Sequence, residues 1–481
     1  MTWEAVIGVE THVELRTRSK MFCGCPVDFS SEPNTNVCPV CLGLPGALPV
    51  PNERAIEMTV AVGMALGCQI APDSEFSRKN YFYSDLPKNY QISQFDLPLC
   101  IGGSLEVQVG EETSAVGITR VHLEEDTGKS THLGGSGRIH AAEAALIDFN
   151  RSGVPLMEVV TEPDLRTPEQ ARAYAMELRA IVLALGVSDA KLEEGSLRFD
   201  ANVSVRREGD EELGVKVEVK NMNSLRSLQR ALAFEIERQV ALADAGALIA
   251  QETRHWDEAA TVTKPGRSKE QSSDYRYFPE PDLVPLHVDD EYRERVAASL
   301  PELPGQQRTR YRALGLDAGA ARLLTAGDGF AEVFEDAVAG GADAPAAANW
   351  LTGEVVAHLR RSERELADTG LDGASLRELI GMVAGGELSA TAAKAVLAGV
   401  LDGEGGPRRV AEARDLMQMD DAGALETAVD DAFAAHADEL VRLREGDQKL
   451  IGFFVGQVMR ATGGKADPQK TSDLIRQKAA E

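Results

Sequence analysis

Residues 196–205 and 215–220 alternate between polar and apolar without a break. Leu197, Phe199, Ala201, Val203 and Val205 fall on one side of the first run, and Val215, Val217 and Val219 on one side of the second. A helix would scatter these apolar residues around its circumference, so a period of two admits only half-buried β-strands. The polar link 206–214 reads as a hairpin connection between them. The apolar side must rest on a core. The other side carries Arg198, Asp200, Asn202, Lys216, Glu218 and Lys220. A plain solvated face is the ordinary outcome of such a pattern. Here carboxylates, cations and amides crowd together with little Thr or Ser, which points to the floor of a reaction cleft.

Residues 3–16 form a first strand, with Val9, Thr11, Val13 and Leu15 on one side and Glu10, His12 and Glu14 on the other. Two carboxylates flanking an imidazole suit a divalent cation held by mixed oxygen and nitrogen ligands; an exposed polar face with a chance histidine is the alternative. A strand over 116–125 runs into Glu124-Glu125-Asp126, three acids able to complete such a site. Gly128-Lys129-Ser130 invites comparison with a P-loop, but Leu123 stands where that motif needs its first glycine. Cys23-Gly24-Cys25 and Cys38-Pro39-Val40-Cys41 have the spacing of a tetrahedral thiolate shell around zinc. Four thiolates would leave no open coordination position, so the expected role is a structural staple; four reduced buried cysteines are the other possibility. Cys68 and Cys100 stand alone and read as core residues.

Residues 78–91 interleave three cations with four aromatics, a composition suited either to gripping phosphates and a base or to packing over a sheet. Helices are expected over 53–66, from Thr167-Pro168 to Gly186, and from Ser224 to about Leu242. Residues 261–273 look like a flexible polar loop and 273–282 like a rim loop, because its prolines forbid a central strand. Gly134-Gly135-Ser136-Gly137 reads as a mobile turn.

Near residue 290 the chain becomes Ala-rich and strand-poor, with glycine clusters up to 403–406. The expected division is a catalytic domain over 1–290, a helical domain over 291–407 and a helical tail over 408–481. In the tail Leu450, Ile451, Phe454, Val455 and Val458 form a buried stripe. The net charge of −27 argues against non-specific nucleic-acid binding, yet residues 440–481 carry eight Lys or Arg against five Asp or Glu. With no long apolar run and a strand pattern from the third residue, neither a membrane span nor a signal peptide is expected, and the cytoplasm is the expected compartment.

Ile7-Gly8-Val9-Glu10-Thr11-His12-Val13-Glu14-Leu15, together with 78–94, 122–132, 193–204, 274–282 and 452–468, resembles the GatB/GatE family over nearly the whole length. GatB proteins are subunits of the amidotransferase that converts Glu-tRNA(Gln) to Gln-tRNA(Gln), and often Asp-tRNA(Asn) to Asn-tRNA(Asn). The resemblance implies an α+β fold: a glutamine-synthetase-like cradle with an antiparallel sheet, an all-α helical domain and a YqeY-like, tRNA-binding tail. It implies ATP and Mg²⁺ or Mn²⁺ as cofactors beside structural Zn²⁺. It also implies a heterotrimer in which GatA releases ammonia from glutamine and GatC wraps the two, acting on mischarged tRNA away from membranes. The side-chain carboxylate of the tRNA-bound amino acid would be phosphorylated by ATP and then amidated.

On strand faces and this resemblance together, Glu10, His12 and Glu125 are expected to bind the catalytic metal, with Glu124 and Glu218 as neighbours. Arg198, Lys79 and Lys88 are candidates for phosphate. Asp200, Asn202 and Ser204 would orient substrate or a second metal, and Cys23, Cys25, Cys38 and Cys41 would hold zinc. A ligase working alone on a free amino acid, and a non-catalytic RNA-binding scaffold, are the competing classes. The first lacks an ammonia source, and the second leaves the acidic, histidine-bearing face without a purpose.

Overall fold

A computed structural model describes residues 2–28, 30–133, 143–268, 272–418 and 422–480; the glycine turn expected at 134–137 lies outside them. The chain forms two compact units, Met1–Pro304 and Gly305–Glu481.

The first unit is built on a thirteen-stranded sheet. Its main path uses β1 (Trp3–Glu14), β2 (Ser77–Asn80), β3 (Tyr90–Ser93), β4 (Glu112–Glu125), β5 (Pro155–Thr161), β6 (Leu197–Arg207), β7 (Val217–Lys220), β8 (Glu252–Asp257), β9 (Val262–Ser268) and β10 (Phe278–Pro279). Across the sheet they run β9-β8-β7-β6-β1-β5-β4-β3-β2-β10. Along this path every pairing is antiparallel except β7 with β8, so the sheet is mixed and not purely antiparallel as expected. The exception follows from α3 (Leu225–Asp244), which lies between β7 and β8 in the chain and lets β8 start again from the same end.

One side of the sheet is apolar. Val9 and Val13 of β1, Leu197, Phe199, Ala201 and Val203 of β6, Met157 and Val159 of β5, and Val121 and Leu123 of β4 share a core with α1 (Glu53–Ala65), α2 (Pro168–Ala184) and α3. Each helix begins where a polar side chain accepts from a backbone N–H left without a partner in its first turn: Asn52 from Arg54, Thr167 from Gln170 and Ser224 from Ser227. The helix Asp290–Ala298 belongs to this unit because Val296 is buried in its core. The unit therefore runs past residue 290, to Pro304.

The stretch expected to be a flexible loop after Thr261 is instead β9, paired antiparallel with β8. Its polarity is satisfied internally. Thr263 donates to Glu235 Oε2 at 2.8 Å, Arg254 Nη2 donates to the Thr263 carbonyl at 2.8 Å, and Glu235 of α3 is fully buried. The 273–282 rim stretch contributes the edge strand β10, where Pro279 is tolerated.

The second unit is helical among its described residues, with two hydrophobic clusters. One runs in sequence from Tyr311 to Ala411, the other from Leu425 to Ile475. Ile451, Phe454 and Val458 are buried in the second and Leu450 and Val455 pack against it, forming the expected stripe. Val410 and Ala411 belong to the first, so the change of core falls after Met417 and not at residue 407. Among the described residues no helix is long and apolar enough to cross a membrane.

Candidate functional site

Antiparallel register decides which side chains meet on the polar side of the sheet. His12 lies opposite Arg198 on β6 and opposite Glu158 on β5, and Glu158 lies opposite His122 on β4. Glu10 pairs with Asp200, and Asn202 with Glu218. Directly opposed residues share a face of the pleat, so five strands contribute one polar floor. It underlies a cleft of about 620 Å³ lined by Glu10, His12, Lys79, His122, Glu124 and Glu158, with Asp200, Lys216, Glu218 and Lys220 farther along.

At the centre, His12 Nε2 stands 3.7 Å from Glu124 Oε1 and 3.8 Å from Glu158 Oε2. One ligand atom from each of the three lies within 4.8 Å of the others. Ligands of an octahedral Mg²⁺ sit about 3.0 Å apart when adjacent and about 4.2 Å when opposite, and the two measured spacings fall between these. One nitrogen and two carboxylates on one side of an ion suit Mg²⁺ or Mn²⁺ and leave positions open for water and phosphate oxygens. Burial opposes ionisation of Glu158, but His122, His12 and Lys79 outweigh it and hold the group below the usual carboxylate range. Burial likewise opposes the Lys79 ammonium, while Glu124, nearby tyrosines and Glu158 keep it above the ordinary lysine range. His122 Nδ1 accepts from Arg120 Nε at 3.4 Å, leaving its Nε2 proton for Glu158 Oε2 at 3.2 Å. Tyr275 and Tyr277 of the rim stretch also line the cleft, and Tyr277 stacks on Phe95 with ring centroids 4.1 Å apart.

The expected site residues divide. Glu10, His12, Lys79, Glu124, Asp200 and Glu218 line the cleft. Asn202 acts through Glu10, donating to Oε1 at 3.0 Å. Lys220 reaches Asp200 at 2.5 Å and Glu218 at 3.5 Å, so these two carboxylates already have a cation. Arg198 donates to Asp126 Oδ2 at 2.8 Å. Asp126 lies against Glu14, whose carboxyl burial and Asp126 push up to about 8. Ser204 is buried opposite Val6 and is not among the cleft residues.

Glu125 and Lys88, expected in the metal and phosphate sets, lie outside the residues lining this cleft. Successive residues of a strand point to opposite faces, so Glu124 enters the cleft and Glu125 turns to the other side. There it forms a buried ion pair with Lys88 and accepts from the Ile92 N–H at 2.9 Å. The pair lines a smaller cavity of about 180 Å³ beside Cys23 and Cys41.

Glu158 and His122 were missed in the sequence. Glu158 left a signal: a lone carboxylate inside Pro155–Thr161, a strand otherwise apolar up to its last residue, where a buried charge requires a partner.

One Sγ from each of Cys23, Cys25, Cys38 and Cys41 lies within 4.8 Å of the others, with Cys38 and Cys41 3.9 Å apart. Tetrahedral zinc at 2.3 Å from each sulfur needs a spacing of about 3.8 Å, so the four residues fit that ion. Their loop is clasped to the turn before β5. Asn34 N–H donates to Asp148 Oδ1, Asn36 N–H to Asn150 Oδ1, and Asn150 Nδ2 to the Glu32 carbonyl.

Residues 5–294 match the GatB/GatE catalytic domain, and residues 332–479 match a GatB domain. The chain is 50% identical to an aspartyl/glutamyl-tRNA(Asn/Gln) amidotransferase subunit from Synechococcus elongatus, over 99% of this chain and 97% of the relative. The same amidotransferase subunits from Synechocystis sp. and Thermosynechococcus vestitus are 50% and 49% identical, covering 98% and 99% of this chain and 97% of each relative.

Proposed function

The chain belongs to the GatB/GatE family, and from that premise we propose that it is the subunit of an aminoacyl-tRNA amidotransferase that activates and amidates Glu-tRNA(Gln), Asp-tRNA(Asn) or both. The observation that carries the proposal is the grouping of His12, Glu124 and Glu158 within 4.8 Å on the floor of a cleft that also contains Lys79.

A carboxylate is a poor acyl donor because its oxygen is a poor leaving group. In the proposed reaction a side-chain carboxylate oxygen of the tRNA-bound amino acid attacks the γ-phosphorus of ATP, and ADP leaves. Ammonia then attacks the acyl carbon and inorganic phosphate leaves. A divalent cation would draw charge from the phosphate oxygens and hold them in line. His12, Glu124 and Glu158 would hold that ion, with His122 fixing Glu158 in orientation. Lys79 would meet the transferred phosphoryl group from the cleft floor. Asp200, Glu218 and Lys220 would orient the aminoacyl end, with Glu10 held in place by Asn202.

We assign the first unit as the catalytic cradle, resembling glutamine synthetase, and the second as the helical part that grips tRNA through its basic, YqeY-like tail. GatA would supply ammonia and GatC would complete the heterotrimer. The four cysteines would hold structural zinc. Glu124→Gln in the assembled enzyme is expected to abolish amide formation on mischarged tRNA while tRNA binding stays near normal. Amide formation at the normal rate by that variant would remove the proposal's support.

A further inference from the structure

Lys20 is a buried cation outside the residues that line the cleft. It is 1% exposed. Its Nζ donates to the Phe149 carbonyl at 3.1 Å and lies 3.7 Å from Cys41 Sγ. Among the described residues no carboxylate lies within ion-pair distance of it. Glu125, which lines the same small cavity, is engaged by Lys88. A buried ammonium needs a negative partner, since an uncompensated one is expensive to hold out of water. Among the described residues the anion-forming group in reach is the Cys41 sulfur. That sulfur also accepts from the Cys38 N–H at 3.1 Å. Gly153, at φ 87°, leaves room beside them, since a Cβ there would stand 3.5 Å from both Cys41 Cβ and Lys20 Cδ, and its carbonyl accepts from the Met21 N–H at 2.7 Å.

We propose that Lys20 is the charge-compensating partner of the tetrathiolate site: a buried ammonium donating to the Cys41 thiolate, which slows loss of the metal and ties the cluster to the turn before β5. The proposal rests on the four cysteines binding zinc. Zn²⁺ with four thiolates carries a net charge of −2, and a buried ammonium brings it to −1. Lys20 also spans two pieces of chain, because its other acceptor, the Phe149 carbonyl, lies in the turn clasped by Asn34. Cys41, with two donors, becomes the least nucleophilic of the four sulfurs.

The test compares the full-length chain with Lys20→Met, which keeps the length of the side chain and removes the charge, and Lys20→Arg, which keeps the charge. Zinc content is measured by elemental analysis, and zinc release by transfer to a chromophoric chelator. Removing an outer partner of a metal ligand changes affinity about 10- to 100-fold, so the methionine variant is expected to release zinc at least about tenfold faster, with arginine restoring part of the difference. In the Co²⁺-substituted protein the sulfur-to-metal charge-transfer band of Lys20→Met should move to lower energy, because the donor no longer stabilises the sulfur lone pair. If the methionine chain does not fold, Lys20→Gln, neutral but still a donor, is measured for zinc release, which should again be faster than wild type because the charge is gone; release equal to wild type counts against the proposal. Release and band position equal to wild type in a zinc-loaded variant overturn the role of Lys20 and leave the zinc site standing. A wild-type chain that carries and takes up no zinc overturns both.

Discussion

Glu124 and Glu125 are neighbours in the chain, yet substituting each should have opposite consequences. Glu125→Gln keeps an acceptor for the Ile92 N–H but removes the charge facing Lys88. Side-chain exposure in this pair is only 3% for Glu125 and 5% for Lys88, so the lysine would be left buried and unpaired. Breaking a buried pair from one side costs about 3–5 kcal/mol. At about 2.1 cal/mol/K of unfolding entropy per residue, a unit of this size should melt roughly 5–8 °C lower. Mn²⁺ affinity, read by calorimetry or by the electron-spin signal of the free ion, should stay near wild type. Glu124→Gln should reverse the pattern, losing Mn²⁺ binding with a smaller change in melting temperature, because Lys79 keeps Glu158 as a counter-charge. Adding Lys88→Met to Glu125→Gln should recover part of the lost stability, because both buried charges are then gone. A Glu125→Gln protein that melts normally and no longer binds Mn²⁺ would refute this geometry and return Glu125 to the metal.

Three further expectations follow from the same contacts. Glu14, pushed up to about 8, holds a proton in the folded state that the unfolded chain has released, so its contribution to stability is full below about pH 4.5 and lost as pH rises through 8. The slope is at most about 1.4 kcal/mol per pH unit; Glu14→Gln should flatten the melting-temperature profile between pH 5 and 8, and an unchanged profile counts against the shared proton with Asp126. Lys79→Met removes a cation beside Glu124 and Glu158, so it should tighten Mn²⁺ binding roughly tenfold while raising the KM for ATP; calorimetry and steady-state kinetics read the two. A chain ending at Gln418 keeps the core that contains Val410 and Ala411; it should raise the KM for tRNA and weaken its salt dependence, without altering Mn²⁺ binding.

The polar floor was legible where alternation was strict. The period-two runs around Asp200 and Glu218 fixed a face, and their strand pairs carried that face to Glu10 and His12. The proposed metal set was legible only in part. Sequence adjacency made Glu124, Glu125 and Asp126 look like one cluster, but which of two neighbouring carboxylates enters the cleft depends on pairing register, a long-range property. Glu158 comes from a strand whose other residues, Thr161 apart, are apolar, and only its neighbours across the sheet suggest a role for it. The loop expected after Thr261 is a strand because a buried carboxylate on α3, some thirty residues earlier in the chain, satisfies it. Composition alone could not register that partner. The acidity of the chain as a whole has no counterpart in any of these contacts.

The split between Glu124 and Glu125 makes the length of β4 as restrictive as its composition. Inserting or deleting one residue within its pairing with β5, which runs to Glu125, would shift the two side chains to the opposite faces. The cleft would receive a carboxylate at the wrong height, and the core would receive one with no lysine to meet it. Both sides of the sheet would fail from a single codon, although every acidic residue was still present.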